Sequence, residues 1–155
     1  MNLVLDSSAL ITLARIGRLE LLRQAAGVVH IPEAVYEEVV QAGQGRHGSV
    51  EIAQAQWISR HQVQDQGAVV RLRARLGKGE AEAIVLAREL QANVLLLDDA
   101  TASSVAGAEG QTVVALVGLW SLVRIARYIV APTHGDLTVV QPMRAVRPVH
   151  WTQWG

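Results

Sequence analysis

Two short apolar runs, each followed by carboxylates, constrain the fold of this chain more than any other feature. Residues 2–5 lead into Asp6, and residues 94–97 lead into Asp98 and Asp99. Runs of this length and composition are typical of buried strands. In open α/β sheets, the ligand crevice lies outside the carboxyl ends of the strands. Because clustered carboxylates usually bind hard divalent cations, the pattern predicts an acidic site at one edge of a sheet.

Helix-length segments separate these runs from further strand-like segments. We predict strands near residues 2–5, 28–31, 57–58, 94–97 and 111–114. We predict helices near residues 8–17, from 18 onward, 33–42, 49–55, 66–76, 80–90, 100–107 and from 115 to about 128. This alternation predicts an α/β fold with a mainly parallel central sheet. Since no repeat or linker divides the chain, we expect one domain over residues 1–132, with the tail, residues 133–155, packed on it.

The composition excludes several kinds of site. The chain has no cysteine, which excludes disulfides and thiolate zinc sites. Its formal net charge is zero, so a nucleic-acid contact would need a local basic patch. The longest apolar stretch, residues 113–123, is too short to span a bilayer, and no signal peptide is recognisable. We therefore expect a cytoplasmic protein without a membrane partner.

Helical phase separates two neighbouring glutamates in the predicted helix near residues 33–42. Each residue advances about 100° around an α-helix. Glu38 is therefore expected beside Val35 and Val39 on the apolar stripe, whereas Glu37 points away. A carboxylate that borders the core is unfavourable unless it is paired or bound to a metal. Glu38 is thus the functional candidate, and Glu37 is predicted to be a solvated helix charge.

The same reasoning applies to the next pair of glutamates along the chain. Glu82 shares a helix face with Val85 and Leu86 one turn later. Glu80 points to nearly the opposite side and lies close to the predicted helix start, where a carboxylate also interacts favourably with the helix dipole. Glu82 is therefore the stronger candidate, and Glu80 can be either a site residue or a first-turn helix charge.

Capping competes with metal binding for the three aspartates that follow predicted strands. Asp6 can cap the next helix, although Ser8 is itself a plausible N-cap. Successive side chains of a strand point in opposite directions, so Asp98 and Asp99 need not share a role. One of them can line the crevice while the other caps the following helix.

The segments that carry these acids occur in the order seen in PIN-domain proteins. They are Asp6-Ser7-Ser8, residues 31–38 (IPEAVYEE), residues 77–84 (GKGEAEAI) and residues 96–99 (LLDD). Over about residues 1–128 the chain resembles this family, and in particular its VapC-like subfamily, which is related to toxin–antitoxin nucleases. The resemblance implies a three-layer α/β/α domain with a central, mainly parallel sheet, here over residues 1–132.

The resemblance also implies an activity, a cofactor and partners. It implies a metal-dependent ribonuclease that hydrolyses RNA phosphodiester bonds with Mg²⁺ or Mn²⁺. It also implies that the protein is the toxin of a toxin–antitoxin pair, binds an antitoxin protein and forms a homodimer. When the family's acidic ligands are carried over position by position, they fall on Asp6, Glu38, Glu82 and the pair Asp98-Asp99. Of this pair, Asp99 is preferred as the metal-facing residue. Ser7 or Ser8 and Glu80 are the supporting residues. Carboxylates suit such ions, which supply a nucleophilic water and stabilise phosphoryl charge.

Two segments depart from the family pattern. Relatives usually carry basic residues after the last acids, where this chain has residues 100–104 (ATASS). A Gly-Thr pair is expected where the chain has Ala115 and Leu116. These departures leave the acids intact and concern the binding of substrate. They keep open the alternative of a catalytically inactive PIN-like module that binds RNA or a protein.

Weaker signals allow both a structural and a functional interpretation. Arg71 and Arg75, predicted to share a helix face, form with Lys78 either a solvated surface or a contact to RNA phosphates. The histidines have no helical metal spacing and are predicted at the surface or in loops: His30, His47, His61, His134 and His150. Trp120 is predicted in the core. Trp151 and Trp154 can either pack or stack on bases.

Two other enzyme classes fit less well. An aspartyl-phosphate phosphatase also begins with an aspartate after its first strand, but it needs a second aspartate where this chain has Ser8. The segment Gly77-Lys78-Gly79 lies between predicted helices rather than after a strand, so it does not match a P-loop. The nuclease interpretation therefore leads.

Overall fold

The predicted strands form one sheet. The structure, a computed structural model, describes residues 1–41 and 48–119. Its strands are β1 (Asn2–Leu5), β2 (Val28–Pro32), β3 (Ile58–His61), β4 (Val94–Leu96) and β5 (Val113–Val114). They lie in the order β3-β2-β1-β4-β5, and every neighbouring pair is parallel. β1 is therefore central, and Asp6 follows it in the middle of the carboxyl edge.

Helices connect the strands as the alternating pattern predicts. They are α1 (Ser7–Arg15), α2 (Glu20–Ala25), α3 (Glu33–Tyr36), α4 (Ser49–Gln54), α5 (Gln66–Leu72), α6 (Lys78–Glu89) and α7 (Ala100–Ala108). A π-helical turn (Glu37–Gln41) continues α3, and a 3₁₀ turn (Leu116–Gly118) follows β5.

Two apolar clusters cover the two faces of the sheet. Leu3 and Leu5 of β1 pack with side chains of α1, α2, α3 and α4. Val4, which points to the opposite face, packs with side chains of α5, α6 and α7. This alternation is the period-two pattern of a strand that is buried on both faces. The expected three-layer α/β/α fold with a parallel central sheet is confirmed.

Several element boundaries differ from the predicted ones because of local hydrogen bonding. α1 begins at Ser7 with Asp6 as its N-cap, so Ser8 is not the cap. α6 begins at Lys78 rather than at Glu80, since the Glu80 carboxylate reaches back and accepts a hydrogen bond from the amide of the N-cap residue Gly77. β3 extends to His61, beyond the two residues that were predicted.

Part of the prediction falls outside the described residues. This applies to the helix expected up to about residue 128, the tail 133–155 and the proposed boundary at residue 132, and to Trp120, Trp151, Trp154, His47, His134 and His150. Within residues 1–41 and 48–119, no helix is long and apolar enough to cross a membrane.

Candidate metal centre

The two carboxylate oxygens of Asp6 have different surroundings. Asp6 is fully buried at the end of β1. Its Oδ1 atom accepts a hydrogen bond of 2.9 Å from the backbone amide of Ala9 and so caps α1. Its Oδ2 atom is buried and has no hydrogen-bond partner among the described residues. Capping therefore occupies one oxygen and leaves the other available to a ligand.

The environment of Asp6 disfavours its ionised form. Burial raises the pKa of Asp6 from its ordinary 3.8 to about 6. The Ala9 amide opposes this rise in pKa, as does the nearby backbone amide of Asp98. The negative charges of Glu80 and Asp98 raise the pKa further. A bound cation would offset both the burial of the Asp6 carboxylate and its repulsion by these two acids.

Ser7 and Glu38 form a hydrogen-bonded pair beside Asp6. The Ser7 hydroxyl is buried and donates to Oε2 of Glu38 over 2.6 Å. Ser8 is exposed, so of the two predicted hydroxyls only Ser7 contacts an acidic candidate among the described residues. A charge-assisted bond of this length fixes the position of the Glu38 carboxylate.

Glu38 is exposed as a residue, whereas Val35 and Val39 beside it are buried as predicted. Its Oε2 atom nevertheless accepts the hydrogen bond from the buried Ser7 hydroxyl. The Glu38 carboxylate therefore borders buried groups, as expected, although the residue is exposed. The π-helical turn that carries it begins at Glu37.

Glu82 is buried, as helical phase predicted. Oε1 of Glu82 lies 3.9 Å from the ammonium group of Lys78, which is also 3.6 Å from Oε2 of Glu37. Glu37 is thus exposed as expected but forms an ion pair. Glu80 is half-buried, and its carboxylate caps the start of α6.

The two aspartates after β4 have separate roles. Asp99 caps α7, because its Oδ1 atom accepts a hydrogen bond of 2.8 Å from the Ala102 amide. Asp98 is the one whose charge acts on Asp6. Both side chains are exposed. One of the two residues therefore caps the following helix, as expected, and a crevice-lining position of the other stays a prediction. A metal-facing role for Asp99 stays a prediction.

The donor chemistry of this edge fits a hard divalent ion. Within residues 1–41 and 48–119, no three acidic or histidine side chains already form a group that could hold a metal. The unpartnered Oδ2 atom of Asp6 and the charges of Glu80 and Asp98 nevertheless supply the oxygen ligands and the negative field that Mg²⁺ and Mn²⁺ prefer. The edge is therefore a candidate centre that an ion would complete.

An open cleft of about 520 Å³ lies between the start of α6 and the segment formed by α3 and the π-helical turn. It is lined by Ala34, Glu37, Glu38, Gln41, Lys78 and Gly79. Glu38 therefore contacts both the buried Ser7 and an open space that reaches solvent. Lys78 is the basic residue of this lining.

The helix that carries the predicted basic face is shorter than expected. Arg71 lies on α5, which ends at Leu72, and Arg75 lies in the turn that follows, so a face shared by the two stays a prediction. Both side chains are exposed. Lys78 begins α6 and contacts acids on two elements. Of the three, only Lys78 lines the cleft beside the acidic edge.

Sequence reasoning missed a histidine pair. His30 on β2 and His61 on β3 are partly buried, and their Nδ1 and Nε2 atoms lie 2.9 Å apart. Burial lowers the pKa of His30, and the charge of His61 lowers it further. The prediction of surface or loop positions is wrong for both residues. In the register of β2 and β3, His30 lies opposite Ser59 and His61 lies opposite Pro32, so the two histidines are diagonal neighbours on adjacent strands. Spacing within either strand gives no signal of this contact.

The two segments that depart from the family pattern lie beyond β4. Residues 100–104 form the first half of α7. Ala115 precedes the 3₁₀ turn that begins at Leu116. Neither segment contains a residue of the acidic edge, which consists of Asp6, Glu38, Glu80 and Asp98. The departures therefore leave the candidate centre unchanged.

Comparison with known proteins identifies the kind of domain. A family model for PIN domains, DUF3368, matches residues 2–137. No curated protein matches the chain. The solved structure of a PilT N-terminus domain protein from the hyperthermophilic archaeon Sulfolobus solfataricus P2 is similar, with a TM-score of 0.61 and 19% sequence identity. The match covers 88% of this chain and 99% of that chain. At this identity the likeness supports the fold alone.

Proposed function

Because this chain belongs to the PIN-domain family, we propose that it is a divalent-metal-dependent endoribonuclease that hydrolyses RNA phosphodiester bonds. PIN domains are generally nucleases and typically use divalent metal ions. One observation of this chain carries the proposal. The Asp6 carboxylate is fully buried at the carboxyl edge of the sheet, and one of its oxygens has no partner among the described residues.

In this proposal, acids at the carboxyl edge of the sheet hold Mg²⁺ or Mn²⁺. Asp6 binds through its free oxygen, and Asp98 and Glu80 contribute the negative charge that already acts on Asp6. Glu38, which Ser7 holds at 2.6 Å, approaches from the cleft. Glu82 and Asp99 stay predicted ligands; the Glu82 carboxylate lies near Lys78, and the Asp99 carboxylate accepts a bond from the Ala102 amide.

The chemistry then needs few protein groups. A divalent ion held by these acids would supply an activated water and a positive charge to offset that of the phosphoryl oxygens. Lys78 lies at the cleft and can contact a substrate phosphate once the metal compensates the charge of Glu82. Ser7 keeps the carboxylate of Glu38 in place. No serine or cysteine nucleophile is required.

We further propose that the enzyme is the toxin of a toxin–antitoxin pair and acts as a homodimer. The resemblance of the four acidic segments to VapC-like proteins supports this proposal. It is tested by co-expression with the protein encoded by a small neighbouring gene. Neutralisation of growth arrest and co-purification would support an antitoxin partner, and growth without arrest when the chain is expressed alone would contradict the toxin role.

The second candidate is a PIN-like module that binds RNA or a protein without cutting it. Two observations favour it. Residues 100–104 contain no basic side chain, and no group of three ligands is ready-formed in residues 1–41 and 48–119. This module and the nuclease differ in one measurable property, which is cleavage of RNA in the presence of Mg²⁺ or Mn²⁺.

The cleavage assay has a matched pair of variants. Asp65 caps α5, because its Oδ1 atom accepts a hydrogen bond of 2.9 Å from the Ala68 amide. It therefore has the same capping role as Asp6 but does not belong to the acidic edge. Asparagine preserves both caps. We expect Asp6→Asn to abolish metal-dependent cleavage and Asp65→Asn to leave it unchanged. Cleavage by neither the wild type nor Asp65→Asn, on single-stranded and structured RNAs, would support the binding module.

A further inference from the structure

Gly79 lies where a larger side chain would meet the acidic edge. It is the second residue of α6 and is buried. A Cβ atom at this position would lie 3.0 Å from Oε2 of Glu38 and 3.0 Å from Oγ of Ser7. It would also lie 3.4 Å from a methyl group of Val35. The added atom would therefore crowd both partners of the 2.6 Å hydrogen bond at once.

The three neighbours differ in their freedom to move away from such an atom. Ser7 is buried in the first turn of α1, and Val35 is fully buried in the core. Well-packed side chains of this kind yield little. Glu38 is exposed and ends in a flexible side chain that borders the open cleft. The Glu38 carboxylate is therefore the group that would be displaced.

The first glycine of the same segment does not have this role. A Cβ atom at Gly77 would lie 3.6 Å from Oε2 of Glu80, which is ordinary van der Waals contact. A Cβ atom at Gly107 in α7 would meet nothing within 4 Å. The close approach is thus a property of the position of Gly79 and not of glycines in helices generally. Its backbone does not adopt a positive φ, so the space beside it is the constraint.

We infer that Gly79 is a positioning residue, whose missing side chain lets the carboxylate of Glu38 stay hydrogen-bonded to Ser7 at the metal centre. The inference rests on the proposed function, because Glu38 is a proposed ligand of the ion. It also gives a role to the segment Gly77-Lys78-Gly79, which does not serve as a phosphate-binding loop. Gly79 acts through Glu38 and does not touch the ion or the substrate.

The test measures Mn²⁺ binding by isothermal titration calorimetry. Gly79→Ala should weaken binding about 10- to 100-fold, the usual effect of losing an outer-shell contact. The control Gly107→Ala should bind as the wild type does. In the Glu38→Gln background, Gly79→Ala should cause no further loss, because its target is already removed. Unchanged affinity of Gly79→Ala, or an equal loss in both backgrounds, would overturn the inference.

A second measurement separates the inference from the proposed function. In a crystal structure of metal-free Gly79→Ala, the Glu38 carboxylate should be displaced, so that its bond to the Ser7 hydroxyl is longer than 2.6 Å or broken. If that bond keeps its length and the carboxylate its position, the steric basis is wrong, whatever the protein does with metal. If the carboxylate is displaced in the variant but the wild type binds no Mn²⁺, the positioning of Glu38 is supported, and the proposed nuclease function fails.

Discussion

Replacing Asp6 with asparagine should stabilise the metal-free protein against unfolding at neutral pH, even though it removes the central residue of the proposed site. Asparagine retains an oxygen that accepts the Ala9 amide bond, so α1 stays capped. It removes the charge that burial, Glu80 and Asp98 all disfavour. The buried carboxylate is therefore a feature that the proposed function requires and that folding stability opposes.

The magnitude follows from the two pKa values of Asp6. The unfolded chain releases this proton near pH 3.8, whereas the folded protein holds it up to about pH 6. Between these values the folded state binds more protons, so raising the pH favours unfolding. The full difference corresponds to about 3 kcal/mol. From about pH 4 to pH 7.5, the stability of Asp6→Asn relative to the wild type should therefore grow by about 2 to 3 kcal/mol.

Urea unfolding at a series of pH values, in the presence of a chelator, measures this difference. Any constant effect of the new amide group cancels, because only the change with pH is compared. Asp65→Asn serves as the control for a substituted N-cap, and its difference from the wild type should lack this rise. A difference between Asp6→Asn and the wild type that stays flat, or that falls as the pH rises, would refute the account of Asp6.

Substitutions at three further positions test the proposed site around this carboxylate. Ser7→Ala removes the 2.6 Å bond to Glu38, so it should lower the free energy of unfolding by about 1 kcal/mol in chemical denaturation and weaken Mn²⁺ binding in calorimetry. Unaltered Mn²⁺ binding would exclude a positioning role for Ser7. Asp98→Asn removes a negative charge that raises the pKa of Asp6, so this pKa should move closer to 3.8. The pH range in which the free energy of unfolding falls should then shift to lower pH. An unchanged pH range would show that the charge of Asp98 does not act on Asp6. Asp99→Ala should destabilise the protein by about 1 kcal/mol in chemical denaturation, because it removes the α7 cap, while Asp99→Asn should keep the cap and the stability. A loss of Mn²⁺ affinity in Asp99→Asn would identify Asp99 as a ligand as well as a cap.

The sheet could be predicted from the sequence because each strand is a short apolar run between helix-length segments. Residues 3–5 and 94–97 are apolar throughout, as is typical of strands buried on both faces. The position of Asp6 followed from the same pattern. Its two roles did not, because a sequence cannot show that one oxygen caps a helix while the other is buried without a partner.

Helical phase predicted the burial of the acids on helices correctly in one case and incompletely in the other. Regular α-helical phase holds through α6, so the burial of Glu82 was predicted correctly. Glu38 also borders buried groups as predicted, but its exposure was not expected, and its bond to Ser7 depends on how α1 and the π-helical turn pack. The contacts of Gly79 and the pair His30–His61 depend on how separate elements pack. They could not be read from residue spacing.

Binding of Mn²⁺ near pH 6 tests the central claim, that Asp6 is a ligand of a divalent ion, most directly. Isothermal titration calorimetry in buffers with different ionisation enthalpies gives the number of protons released on binding. With a pKa of about 6, Asp6 is roughly half protonated and must lose its proton to bind the ion. The account predicts binding with release of about half a proton, and loss of both the release and most of the affinity in Asp6→Asn. Binding that releases no proton and survives this substitution would contradict it.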